Sequence, residues 1–332
     1  MRLRRVQEVG KGTLVVSLPK PWARRMGVKK GSILSIRETP GGQLLIEPFT
    51  GEAEGPSSVM IDCRGRSPDQ VAWAVIGAYL LGYDTIEVVD ESMRPDVKAV
   101  VRKVARSLAG LEIVDEDSKR MVIDCLVDPA SVDPKTLLAR KNAITISMHS
   151  DALLALAGGD GALAKMVVDR DEEVDRLYFL TVRLLRTAIR DPKLAGRFGL
   201  TPVDCLDYRM AAKLVEFIGD HAVDMARLVF DLPPGSSLEA ISGGLEDTRG
   251  LLREMQEAAV RSFLAKKEGL VSRVKEELKS KISGVLEGLM AETEGLGQLS
   301  HLALSAIHLV EEIVKCCVDI ADLVIPIGVE VG

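Results

Sequence analysis

Aromatic side chains are scarce, at 4% of the chain, although 47% of the residues are hydrophobic. That excludes a core built on ring stacking and leaves leucine, valine and alanine to fill it, a composition suited to helix packing. The five cysteines (Cys63, Cys125, Cys205, Cys316, Cys317) form no C-x-x-C pair and are odd in number. A disulfide framework is therefore not expected, and a reducing compartment is the simple reading. Long apolar runs are also missing. The longest, VAWAVIGAYLLG from Val71 to Gly82, falls well short of the roughly 20 residues a membrane span needs. The chain starts basic and then strand-like, so no signal peptide is expected and the location is read as cytoplasmic. None of the four histidines (His149, His221, His301, His308) has a glutamate three residues before it. That argues against a carboxylate-bridged di-iron enzyme, which uses Glu-x-x-His pairs. No glycine-rich phosphate loop and no nucleophile beside a base are visible, so the sequence argues for no reaction.

What is present is unevenly distributed. At 332 residues, two or three units are expected. The first fifty residues hold ten basic side chains (Arg2, Arg4, Arg5, Lys11, Lys20, Arg24, Arg25, Lys29, Lys30, Arg37) against three acids (Glu8, Glu38, Glu47), while the whole chain carries −6. A small basic head on an acidic body fits a polyanion-binding module, with a solubilising surface bias as the alternative. Within this head, LRRVQEV and TLVVSL read as strands around Gly10-Lys11-Gly12. PKPWARRMGV reads as a short helix closed by Gly27, and SILSIRE and QLLIEP as two further strands about Gly41-Gly42. Four short strands and one helical turn cannot bury a core alone in residues 1–50, so strands shared in a dimer are expected.

The run L-R-R-V-x-x-V-G-K, the V-S-L-P strand end, the paired arginines and M-G-V-x-x-G resemble the AbrB/SpoVT swapped-hairpin domain. The resemblance implies a homodimeric, DNA-binding small β-barrel. It further implies that Arg4, Lys11, Arg24 and Arg25, with Arg5 and Lys20 beside them, contact DNA, by neutralising phosphates and reading guanine edges. Trp22 and a second proline before the arginine pair depart from the family pattern.

GEAEG and Gly55-Pro56 mark a linker. Residues 57–128 then alternate as β-α-β-α-β-β, a small α/β unit, with Ser67 capping its first helix and Pro68 in the first turn. Its role, structural or ligand-sensing, stays open.

From residue 133 the periodicity is helical. Helices are predicted at about 134–157, 160–190 and 202–230, then 237–266, 268–293 and 296–325, with Pro233-Pro234-Gly235 between the halves. Leu214–Val229 and Leu309–Val324, offset by 95, are identical at nine of sixteen positions, mostly apolar. The body thus reads as a duplicated unit, two stacked three-helix bundles over 133–232 and 236–325. VVDRDEEVDRLYFLTVRLLRTAI and YRMAAKLVEFIGDHAVDMA resemble the PhoU family of phosphate-uptake regulators, and fusion to an AbrB-like head resembles an archaeal subgroup of it. The resemblance implies multinuclear iron or zinc held by an E(D)-x-x-x-D motif on the second and third helices of each bundle.

The first bundle fits the motif twice, as Asp171–Asp175 and Glu216–Asp220. A spacing of four puts each pair on one helix face, where two helices could offer four carboxylates to a hard or borderline divalent or trivalent cation. On a helical wheel Glu216 and Asp220 lie off the apolar stripe, so a partly exposed groove is expected. Pairing with Lys213, Arg209 and Arg227 is the alternative, and His221 reads as a packing residue. In the second bundle the matching positions carry Lys275, Lys279, Glu311 and Lys315. No metal is expected there, and the lysines could hold an anion or face solvent. The expectation is a cytoplasmic, dimeric regulator of phosphate uptake with promoter DNA and a phosphate transporter or signalling protein as partners. A protein-binding adaptor whose barrel only dimerises, and a di-iron enzyme, are the competing readings.

Overall fold

The computed structural model describes residues 3–10, 12–38, 42–49 and 57–324. The chain divides into two compact units, residues 1–55 and 56–332.

In the first unit β1 (Gln7–Val9) and β2 (Thr13–Val15) form one antiparallel hairpin, and β3 (Leu34–Glu38) and β4 (Leu44–Pro48) form another. Between them lies α1 (Lys20–Arg25), entered at Pro19 and followed by Gly27 at φ 66°. Within one copy the described strands make two separate two-stranded sheets and no closed barrel, and the expected barrel was one with strands shared between two copies. The physical reason is visible in exposure. No described residue of this unit is buried, and Leu14, Ile33 and Leu44 are each about 70% exposed. Two hairpins from one copy cannot cover each other's apolar faces, and a barrel would require strands from a second. The first strand is also shorter than expected, so Arg4 and Arg5 precede β1 instead of lying in it.

The second unit opens with β5 (Ser58–Asp62), α2 (Pro68–Leu80), β6 (Thr85–Val89), α3 (Pro95–Ser107), β7 (Leu111–Glu116) and β8 (Arg120–Cys125). The sheet order is β5-β6-β8-β7, parallel between β5 and β6 and antiparallel elsewhere. Ser67 and Gln70 close a reciprocal capping box on α2, the arrangement the Ser67-Pro68 signal predicted. Alternate strand residues Ile86 and Val88, and Met121 and Ile123, face the helices and are fully buried.

Six long helical segments follow. The first three are α4 (Pro134–Gly158), α5 (Gly161–Arg190) and α7 (Pro202–Arg227), with a short α6 (Pro192–Phe198) that the sequence reading missed. Each boundary has a local cause. Asp160 caps α5 by accepting from the Ala162 and Leu163 amides, Gly159 takes the left-handed conformation that ends α4, and Thr201 with Asp204 forms a capping box on α7. The second three are α8 (Ser242–Ala265), the run α9 (Glu268–Ser272) through a π-helical turn (Arg273–Leu278) into α10 (Lys279–Thr293), and α11 (Ser300–Asp322). Each triplet packs as a three-helix layer, and α4 and α7 pack on α8 and α11. One continuous core therefore runs through both layers, from Leu138 and Val174 through Ile218 and Leu252 to Ile313. At ~1.5–3 kcal/mol per fully buried large aliphatic side chain, this shared core is the main force holding the layers together.

Candidate metal centre

The two acidic pairs come from adjacent helices. Asp171 and Asp175 lie on α5, Glu216 and Asp220 on α7, and these helices pack directly against each other. Gly219 is why they approach so closely here. A Cβ at Gly219 would stand 3.3 Å from Val174 Cγ1 and 3.4 Å from Thr145 Cγ2. Val174 and Gly219 each precede one of the carboxylates, Asp175 and Asp220, so the tightest point of the crossing lies beside them.

Electrostatics confirm that the four groups share one field. Burial, then the negative charge of Asp171 and Glu216, pushes Asp175 up to about 6. Burial, then Glu216, Asp171 and Asp175, pushes Asp220 up to about 7. Asp171 is raised by burial and by Glu216. Glu216, expected off the core, is buried at 8% exposure, and the other three are partly buried. The groove is thus deeper than the helical wheel implied, because α5 closes over one side of α7.

Two lysines oppose this charge. Lys213 forms an ion pair with Glu216. Lys141 of α4 is fully buried, donates to the Ala212 carbonyl and lies 5.1 Å from the Tyr178 ring centroid. Burial lowers Lys141 to about 7 against the upward pull of Glu216. The other cations go elsewhere: Arg209 stacks over Tyr178 at 4.9 Å and Arg227 pairs with Asp224 at 3.0 Å. Of the three pairings open to the acidic residues in the sequence, only that with Lys213 is made. His221 is half outside the group, its charged neighbours being Glu312, Asp224 and His308, with burial lowering its pKa.

The donor set suits a cation. It is all carboxylate, three members resist ionisation without one, and Asp171 Oδ1 is buried with no hydrogen-bond partner. As the side chains stand, no three His, Cys, Asp or Glu groups among the described residues converge to hold one ion. Glu216 is turned to Lys213, so loading would require that ion pair to open.

The corresponding place in the second layer is differently wired. Lys275 pairs with Asp322 and Lys315 with Glu312, while Lys279 is exposed with no ion pair among the described residues. The π-helical turn at Arg273–Leu278 includes Lys275 and inserts extra backbone there. In the first unit Arg4, Arg5, Lys20, Arg24 and Arg25 are exposed, without ion pairs among the described residues, and Lys11 lies outside those residues.

Sequence reading missed a buried polar chain under the site. Gln256 Nε2 donates to Asn142 Oδ1 (2.9 Å) and Thr145 Oγ1 (2.8 Å), and its Oε1 meets His149 Nε2 at 3.0 Å. Leu138, Lys141, Thr145 and Met148 follow one another at core spacing on α4, and that interruption of an apolar stripe was the available signal.

The fold and the site define a two-layer helical-bundle protein with an acidic helix crossing in its first layer, preceded by a strand-rich head. Residues 138–229, which contain all four carboxylates, match the PhoU domain model, and residues 9–52 match the model described as antidote-toxin recognition MazE, bacterial antitoxin. The chain therefore carries a PhoU domain and a MazE/AbrB-like domain. Among curated proteins it is similar to a phosphate-specific transport system accessory protein PhoU homolog of Burkholderia sp, 28% identical over 144 residues, covering 42% of this chain and 59% of the relative. It is also similar to a protein of the same description from Zymomonas mobilis, 31% identical over 133 residues, covering 40% of this chain and 50% of the relative. The chain thus spans little more than half the length of these relatives. A solved structure, the phosphate transport system regulatory protein PhoU from Streptococcus pneumoniae, aligns over 57% of this chain and 91% of that one at 18% identity, TM-score 0.47. No described helix is long and apolar enough to cross a membrane.

Proposed function

We propose that this chain is a cytoplasmic regulator of phosphate uptake whose first helical layer binds iron or zinc and whose head dimerises and binds DNA. The observation that carries the metal reading is the crossing of α5 and α7. It gathers Asp171, Asp175, Glu216 and Asp220 inside the PhoU-matched segment, with three of them raised toward neutrality. A divalent or trivalent ion would supply the positive charge that lets these carboxylates ionise together. Lys213 and Lys141 already place positive charge beside the group. Elemental analysis of the full chain should find metal that is lost in Asp171→Asn and Asp220→Asn. Metal content unchanged by both substitutions refutes the centre.

The head's exposed strand faces and the exposed Arg4, Arg5, Lys20, Arg24 and Arg25 support a shared barrel formed by two copies, with a basic surface for a phosphate backbone. Binding to promoter DNA of phosphate-transport genes should fall steeply with salt. The log–log slope should flatten by about two in the double variant Arg24→Ala, Arg25→Ala. No affinity at low salt removes DNA as a partner.

An adaptor role, docking on a phosphate transporter or signalling protein, is the second reading. It is favoured by the exposed row Val203, Leu206, Met210 and Phe217 along α7. No reaction is assigned to the chain.

A further inference from the structure

A cleft of about 430 Å³ opens between the end of α3, strand β7 and helix α5, where the α/β layer meets the helical body. Its lining is mostly polar, with Arg102, Arg106, Arg176 and Glu112 on it, and of its aliphatic residues Leu108 and Leu111 are almost fully buried. The arginines are not equivalent. Arg102 is committed to Glu116, at 2.6 Å, and Lys98 reaches the same carboxylate at 2.9 Å. Arg106 and Arg176 have no ion pair or hydrogen-bond partner among the described residues. Arg106 sits in the last turn of α3, where a cation also faces the carbonyl end of the helix. Arg176, in mid α5, has no such local reason to be there. Around the cleft, four cations (Lys98, Arg102, Arg106, Arg176) face two carboxylates (Glu112, Glu116).

We propose that this cleft binds a phosphorylated small molecule with a planar body, such as a nucleoside diphosphate. Its phosphates sit between Arg106 and Arg176 and its planar body stacks against a guanidinium of the lining. The size falls within the range of small-molecule sites, about 300–1,000 Å³, and a few convergent charged groups fix a ligand's orientation in such sites. Guanidinium groups from two separate layers fit the spread oxygens of a phosphate chain better than a single carboxylate, and they stack readily on a planar ring. The site lies outside the PhoU-type carboxylate group but shares its helix: Arg176 follows Asp175 directly on α5. Occupancy would therefore fix the helix that carries half of the candidate metal centre.

The test is calorimetric titration of the full chain, in chelator and at low salt, with ADP and separately with inorganic phosphate. Chelation and the absence of DNA make the outcome independent of the metal and DNA readings. ADP should bind saturably and more tightly than inorganic phosphate. Arg106→Ala and Arg176→Ala should each weaken ADP binding about tenfold or more, as loss of a charge-assisted contact requires. Arg64→Ala removes an arginine that is bound to Asp62 at 2.6 Å at the opposite end of the sheet, and it should leave binding unchanged. Absence of saturable ADP binding up to about 10 mM overturns the proposal. So does binding that survives both cleft substitutions, and so does inorganic phosphate binding as tightly as ADP, which leaves no role for the planar body.

Discussion

Replacing Arg183 with methionine should loosen the α/β layer from the helical body. Arg183 lies on α5 at 1% side-chain exposure, yet its contacts are on the other layer. Its Nη1 donates to the carbonyls of Tyr79 and Tyr83, both at 2.8 Å, its Nη2 donates to Asp84 Oδ1 at 3.2 Å, and its guanidinium lies 5.1 Å from the Tyr79 ring centroid. It thus closes the carbonyl end of α2 with a positive charge. Breaking a buried charged contact of this kind costs about 3–5 kcal/mol. Several features reduce that here. Asp84 is 39% exposed and keeps a bond from the Ser57 amide, Tyr79 keeps one from the Gly82 amide, and Arg183 Nε is already buried without a partner. The net loss for Arg183→Met should be about 2–4 kcal/mol, a fall of roughly 5–15 °C in melting temperature for a unit of this size. Arg183→Lys, with one point charge for a fork, should fall between. Urea unfolding followed by circular dichroism measures the loss, and amide exchange should show it first at the end of α2. A loss below about 1 kcal/mol would mean that the desolvation of the guanidinium cancels its contacts.

The carboxylate group should make metal-free protein less stable as pH rises. Asp175 and Asp220 have folded values of about 6 and about 7, above the unfolded value of about 3.9. Their stabilising protonation is complete below about pH 4 and is lost as pH rises through the folded values. Asp220→Asn should therefore stabilise chelated protein at pH 8 and have little effect at pH 4, while abolishing metal uptake. Denaturation curves that show the same gain at both pH values would contradict this electrostatic account. Gly219→Val should force α5 and α7 apart, since even a Cβ would meet Val174 and Thr145 at 3.3–3.4 Å. It should cost about 1–3 kcal/mol and lower metal content with every carboxylate intact, and undiminished metal loading would show that the close crossing is not needed.

Local signals in this chain proved reliable because each involves residues a few positions apart. Ser67-Pro68 was legible as a helix start, and Gly159 and Thr201 likewise fix helix ends through hydrogen bonds within one turn. The two successive strands expected at the end of the α/β unit pair as β7 and β8. The acidic pairs at 171/175 and 216/220 were legible as spacing, and α5 and α7 pack as neighbours, but the side chains as they stand do not converge on one point. Glu216 was misjudged as lying off the core because a helical wheel records one helix and not the one that covers it. The strand-rich head was legible as short strands too few to bury a core alone, and within one copy its apolar faces indeed stay exposed.

The amino-acid order alone determined the helical periodicity, the duplicated unit with its acidic and basic versions, and the basic head, all properties of composition and short-range spacing. Tertiary structure decided which charges meet. Lys213 turned to Glu216 while Arg227 turned to Asp224, Lys141 was buried under the acidic crossing, and Arg183 reached about a hundred residues back to α2. Those choices depend on distances of a few ångströms between residues far apart in the chain, where Coulomb energy and desolvation change steeply and sequence spacing carries no information.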